Sequence, residues 1–285
     1  MHDIDSDDDI VATAHAVADN ARRAILPYFR QSSLTADNKF CAGDTTEPGF
    51  DPVTAADRAA ERAMRDVLAE RRPQDAILGE EYGHQSGQSG LTWVLDPIDG
   101  TRGFLAGVPT WGVLVAAARS NGPIYGLIDQ PYIGERFEGG LGRSEMSGPT
   151  GTSALRVRGA RPLSEATVMT TFPAVGTPDE GRAFAEIAGQ ARMVRYGCDC
   201  YAYALLAAGQ VDLVIEAGLQ AYDICAPIAV IEAAGGIVTD WQGRPAHEGG
   251  RVLAAAGPQQ HAAALAILSR VPEISAPIDG PALAP

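Results

Sequence analysis

Trp93-Val94-Leu95-Asp96-Pro97-Ile98-Asp99-Gly100-Thr101-Arg102-Gly103-Phe104 decides how the rest of the chain is read. The apolar run Trp93 to Leu95 enters Asp-Pro, which reads as a buried strand ending at a turn. Asp96 and Asp99 then flank a chain reversal, and Gly100-Thr101 opens the next element. If a helix starts there, its free N–H groups form an anion site beside two carboxylates. Anion and carboxylates repel one another, so the arrangement calls for a cation between them. Phosphate, divalent metal and protein together account for the stretch.

The stretch matches W-x-x-D-P-x-D-G-T-x-x-F at every fixed position, and so resembles the signature of the inositol monophosphatase superfamily. An ordinary Asx turn plus a helix cap explains Asp99 or Gly100 singly, not the whole pattern.

Bulk properties bound the rest. A chain of 285 residues can bury a large core as one α/β unit or two coupled halves. Its 46 % hydrophobic and 20 % charged residues are those of a soluble globular enzyme. No apolar run approaches a membrane span, and the start Met1-His2-Asp3-Ile4-Asp5 is the opposite of a secretory leader, so a cytoplasmic location is expected. Cys41, Cys198, Cys200 and Cys225 lack zinc-type spacing and suit a reducing compartment. With 22 Lys and Arg against 36 Asp and Glu, the net charge of −14 disfavours nucleic acid as a partner. It also disfavours phosphate unless metal ions invert the local field, and favours a substrate with a cationic far end.

Ile10, Val11, Ala14, Val17, Ala18, Ala21, Ile25 and Phe29 recur at helical spacing, predicting an amphipathic helix from Asp7 to Arg30 that Pro27 kinks or ends early. Ser32–Pro52 reads as an active-site flap or a plain surface loop. A helix then runs to Arg71, with Thr54 and Asp57 at capping-box spacing. Ala76–Gly79 is a short strand ending in Glu80-Glu81, and His84–Gly90 a polar loop. Trp111–Ala118 and Ile124–Asp129 are successive strands, with Glu135–Glu138 continuing the sheet. The glycine-rich run Gly139–Gly151 is the expected seam between a subdomain 1–145, carrying most metal ligands, and a substrate-specificity subdomain 146–271 of one catalytic unit. Beyond it come a strand at Thr167–Thr171, helices at Asp179–Ala191 and Tyr201–Ala208, and a buried strand Val211–Glu216. A loop Gly218–Tyr222, a helix Asp223–Ala234 and a closing strand Ile237–Asp240 complete the pattern, before a Pro/Ala-rich tail 272–285 expected to be disordered.

The resemblance implies the rest of the site. Asp51-x-x-Thr54-x-x-Asp57 matches a superfamily element whose aspartate hydrogen-bonds the threonine of the D-G-T turn, here Thr101. Gly79-Glu80-Glu81 matches its Gly-Glu-Glu; without a metal, such adjacent carboxylates face solvent. The second signature is present with Tyr222 in place of its tryptophan, followed by Asp223, Pro227 and Ala234-Gly235-Gly236. Asp223 reads alternatively as an N-cap. By resemblance Glu80, Asp96 and the Ile98 carbonyl hold one Mg²⁺, or Mn²⁺, and Asp96, Asp99 and Asp223 a second, with Glu81 in the outer shell or a weaker third site. All-oxygen ligands suit these hard ions. Two ions would activate a water and stabilise the leaving oxygen. Thr101, polarised by Asp57, and Glu80 complete the catalytic set, while the backbone N–H groups of Gly100 and Thr101 hold the phosphate.

The implied fold is the α-β-α-β-α sandwich of the inositol monophosphatase and fructose-1,6-bisphosphatase type, in which homodimers are usual. The implied activity is phosphate monoester hydrolysis. Gly126–Pro131 with Glu135-Arg136, Tyr196–Tyr203, and Val211–Glu216 further resemble the superfamily's histidinol-phosphate phosphatases. The ammonium and imidazole of L-histidinol phosphate would meet Asp199 and Glu216; alternatively Asp199 caps a helix and Glu216 faces solvent. Inositol monophosphates and 3′-phosphoadenosine phosphates are the rival substrates, and a catalytically dead binding protein is the rival class. Departures are the long Cys41–Asp51 loop and Lys39, the only lysine near it.

Overall fold

In the computed structural model, residues 6–32, 34–38 and 52–273 are described. Most of the candidate flap, including Lys39 and Cys41, and the tail beyond residue 273 lie outside them.

Helix α1 (Asp7–Ile25) starts where the acidic run meets the helix's positive end, with Ser6 accepting from Asp9 N at 3.2 Å. It stops at Ile25, and Pro27 sits in a single tighter helical turn just after it. Strands β1 (Ala36–Asn38) and β2 (Pro52–Thr54) pair and lead into α2 (Ala55–Arg71). Next come β3 (Ala76–Gly79), β4 (Gly83–Gln85), β5 (Thr92–Asp99), the short α3 (Thr101–Leu105), β6 (Gly112–Arg119), β7 (Gly122–Gln130), β8 (Glu135–Gly140), β9 (Arg143–Gly148) and β10 (Gly151–Ala154). The second part holds β11 (Thr167–Thr170), α4 (Pro178–Ala188), β12 (Met193–Tyr196), α5 (Cys200–Ala207), β13 (Leu213–Gln220), α6 (Ala221–Ala233), β14 (Ile237–Thr239), β15 (Gly249–Ala255) and α7 (Pro258–Leu268).

Two larger sheets order the strands from β3 onward. The first has eight strands, β10-β9-β8-β7-β6-β5-β3-β4, antiparallel except for β3 beside β5. The second has five, β12-β11-β13-β15-β14. Side-chain alternation along β5 sorts the layers. Trp93 and Leu95 pack with α1 and α2, whereas Val94 packs with α5 and α6 in the middle layer. The second sheet puts Val214, Val252 and Ala254 against that same middle layer, and Val168, Leu213 and Leu253 against α4 and α7. The result is the expected α-β-α-β-α sandwich. Each fully buried leucine, such as Leu95, contributes roughly 1.5–3 kcal/mol of hydrophobic stabilisation.

Several boundaries differ from expectation. The glycine-rich run is not a seam: it forms the β8-β9-β10 hairpins of the first sheet, which therefore extends past residue 145 to Ala154. Its glycines serve tight turns rather than a linker. β13 runs on through Gln220, so no loop separates it from α6. Ile237–Thr239 lies at the edge of the second sheet, but β15, which follows it in sequence, inserts between it and β13.

Candidate active site

Two strands carry the site, and each is interrupted by a bulge. On β5, Asp96 pairs with Leu114 and Asp99 with Gly112, so three steps along β5 oppose two along β6. In a regular strand residues 96 and 99, an odd number apart, point to opposite faces. The extra residue corrects this. Ile98 swings to the side of Trp93 and Leu95, and Asp99 joins Asp96 on the middle-layer side. Pro97 falls in this interval, where a missing N–H costs the ladder least. On β13, Glu216 pairs with Val252 and Leu219 with Gly250, the same three-to-two slip.

The bulges open onto one cavity of about 560 Å³. One carboxylate oxygen each from Asp96, Asp99 and Asp223 lie within 4.8 Å of one another. Glu80 lines the same cavity and shares a hydrogen bond with Asp96; Glu81 is absent from its wall. Asp96 is only 1 % exposed, and its Oδ1 has no hydrogen-bond partner among the described residues. Burial first, then the charges of Glu80, Asp99 and Asp223, holds its carboxyl well above the usual range. Asp99 is raised likewise by burial, then by Asp199 and Asp223. An orphaned carboxylate oxygen inside a cluster of like charges suits a hard cation, so the residues present fit Mg²⁺.

Asp223 is not the N-cap of α6. Gln220 holds that position, and Asp223, three residues on, accepts from Gln220 N at 2.6 Å. That bond orients its carboxylate. Asp57 fills both roles considered for it: its Oδ2 accepts from Thr54 N at 2.8 Å and from the Thr54 hydroxyl, while Oδ1 lies 3.4 Å from Thr101 Oγ1. The same hydroxyl sits 3.1 Å from the Ile98 carbonyl and, with one proton, donates to one of them at a time.

Gly100 ends β5 at φ 86°, a conformation that favours glycine, and caps α3. A Cβ there would also lie 2.9 Å from the Asp199 carboxylate. Asp199 occupies the N-cap position of α5 without capping it; Asp99 Oδ2 instead accepts from Cys200 N at 2.5 Å. The Asp199 carboxylate is thereby left to the cavity, and burial pushes it up to about 6 against the pull of Arg102. Glu216 does not face solvent. It is 8 % exposed, accepts from Thr171 N at 2.6 Å and Thr170 Oγ1 at 3.1 Å, and burial raises it to about 7.

Two further residues, to which the sequence reading gave no role, shape the site. Glu61 is fully buried, pairs with Arg65 at 2.8 Å, and accepts from Glu81 N at 2.6 Å and Tyr82 N at 3.2 Å. It thus clamps the turn that carries Glu80. Gly79 is required beside it, since a Cβ would come within 2.0 Å of the Glu61 carboxylate. Spacing offered the signal: Asp57, Glu61 and Arg65 are successive i, i+4 neighbours. The other is Tyr203, one turn after Asp199 on α5, which lines the cavity.

The sequence profile of the inositol monophosphatase family matches residues 6–273. The chain belongs to that family. A bifunctional phosphatase, IMPL2, of Arabidopsis thaliana is 41 % identical over 240 residues, covering 83 % of this chain but 66 % of that protein's length. A histidinol-phosphatase of Streptomyces coelicolor is 33 % identical over 257 residues, 87 % of this chain and 93 % of the relative. The solved inositol monophosphatase from Zymomonas mobilis superposes with a TM-score of 0.77 at 36 % identity, covering 92 % of this chain and 98 % of its own. As a member of the family the chain is a phosphoric monoester hydrolase. Among the described residues no helix is long and apolar enough to cross a membrane.

Proposed function

We propose that the chain is a Mg²⁺-dependent phosphatase that releases phosphate from L-histidinol phosphate. The observation that carries the substrate is the pair of further carboxylates in the cavity: Asp199 and Glu216, both largely buried, line it together with Asp96, Asp99 and Asp223. A desolvated carboxylate gains most from a substrate that brings a cation to it. The Streptomyces relative carries the name of the same activity.

In this reading Glu80, Asp96, Asp99, Asp223 and the Ile98 carbonyl hold the metal, with Glu81 in a weaker outer position. When bound, the metal supplies positive charge that neutralises these carboxylates and the phosphate, and lowers the pKa of water. Thr101 orients the attacking water: with its proton committed to Asp57, the hydroxyl's lone pairs accept from water and point it at phosphorus. Asp57, fixed by Thr54, receives the proton that leaves as the bond forms. The N–H groups of Gly100 and Thr101 hold the phosphate oxygens while charge moves onto the leaving alcohol. No covalent phosphoenzyme is needed.

An inositol monophosphate is the second reading, favoured by the likeness to the Zymomonas structure; Glu216 can accept from ring hydroxyls as well as from N–H. Phosphate release measured with Mg²⁺ and with chelator, from histidinol phosphate, inositol 1-phosphate and 3′-phosphoadenosine 5′-phosphate, separates them. Metal-dependent release with histidinol phosphate preferred is the expected result. Preference for inositol 1-phosphate would keep the chemistry and reassign Asp199 and Glu216.

A further inference from the structure

Tyr203 is 4 % exposed and lines the cavity, and its buried hydroxyl has no hydrogen-bond partner among the described residues. Leaving a buried phenol without a partner is costly, a cost that persists where a ligand relieves it. Tyr203 is three residues after Cys200 on α5, so the two share a face, and both line the cavity with Asp199. The carboxylate acting most strongly on the phenol is Glu216, followed by Asp99 and Asp223. Tyr203, Glu216, Asp199, Asp99 and Asp223 line the same cavity. Burial together with these charges keeps the phenol protonated and neutral.

We infer that Tyr203 is a specificity-determining residue that accepts a hydrogen bond from the ammonium group of an amino-alkyl phosphate, alongside Glu216 and Asp199. The inference rests on the amine-bearing substrate proposed above. The chemistry favours an ammonium because it carries three donors and no acceptor, and so has one hydrogen each for two carboxylates and a neutral oxygen. A phosphate oxygen at the same position would meet three carboxylates.

The test compares Tyr203→Phe with the unmodified enzyme, both as full chains with Mg²⁺. The substrates are histidinol phosphate and imidazolylpropyl phosphate, the same molecule with hydrogen in place of the amine. Losing a hydrogen bond to a charged donor should raise KM for the amine substrate about tenfold or more, with kcat within about twofold. KM for the deamino analogue should not change, and the thermal midpoint of the free protein should not fall, because the deleted hydroxyl had no partner to lose. An unchanged KM for the amine substrate overturns the inference, as does an equal loss on both substrates, which would put the phenol on the phosphate side. A lowered midpoint with equal losses would make Tyr203 structural. If the unmodified enzyme itself does not distinguish the two substrates, the amine reading of Asp199 and Glu216 fails, and Tyr203's role with it.

Discussion

Asp96 and Asp129 are buried carboxylates in the same sheet, with only β6 between their strands, yet their surroundings are opposite. Asp129 is gripped by two arginines: Arg22 at 2.6 and 3.0 Å and Arg136 at 2.8 Å, the latter also tied to Asp19 of α1. Asp96 has an orphaned oxygen and the charges of Glu80, Asp99 and Asp223 around it. The chain thus brings its own cations where a carboxylate only joins α1 to the sheet. Where the carboxylates converge on the cavity, the proposed counter-charge is a metal ion from solution.

Substitution separates the two cases most sharply. Asp96→Asn should lower phosphate release by on the order of 10³-fold or more, as expected for a group acting on the transferred phosphoryl. In chelator its thermal midpoint should hold or rise, because Asn sits in this buried acidic cluster without having to take up a proton. Asp129→Asn should do the reverse, losing about 1–3 kcal/mol of stability by removing the buried charge that joins Arg22 and Arg136, while keeping metal-dependent activity at temperatures where it stays folded. Thermal melts and phosphate assays on the pair decide; a parallel response of the two variants breaks the comparison.

How much of this was legible in the sequence depends on the range of each interaction. Helices α1 and α2 and strand β5 rest on local pattern, and the motifs put Asp96, Asp99, Thr101 and Asp57 in reach of one another. The bulge that turns Asp99 to the face of Asp96 is a matter of register against β6, which one strand's sequence does not contain. The capping of α5 by Asp99, a residue 101 positions away, was hidden for the same reason. Gly139–Gly151 misled because glycines at tight hairpin turns look like glycines in a linker. Glu61 was visible only as one more helical carboxylate until the Gly79 turn was seen packed on it.

A pH series extends the comparison to the further carboxylates of the cavity. Glu216 titrates near 7 in the folded chain, against about 4.3 in an unfolded one. The fold therefore binds this proton more tightly than the unfolded chain does. The stability it contributes is fully present below about pH 4 and is lost as pH rises through 7. In metal-free protein the thermal midpoint should fall between pH 5 and pH 8 by several degrees, roughly as expected for a loss of 1–3 kcal/mol. Glu216→Gln should flatten that fall, and an unaltered profile would show that Glu216 is not its source.

The smallest effect belongs to Glu61, which reaches the candidate ligands through the backbone N–H of Glu81. Glu61→Gln should weaken Mg²⁺ binding about tenfold, as loss of support behind a metal ligand commonly does. Its kcat at saturating Mg²⁺ should stay within a few-fold. A collapse of kcat that Mg²⁺ does not restore would assign Glu61 more than the positioning of the Glu80 turn.

The most direct test of the metal site is calorimetric titration of Mg²⁺ into chelator-treated protein, in two buffers of different ionisation enthalpy, for the unmodified chain and Asp96→Asn. Because Asp96 and Asp99 hold protons tightly in the metal-free fold, Mg²⁺ should bind with proton release, seen as a buffer-dependent heat. Asp96→Asn should lose both the binding and the proton release. Equal Mg²⁺ binding by the two proteins, or none by either, would contradict the claim that this carboxylate cluster is a metal site.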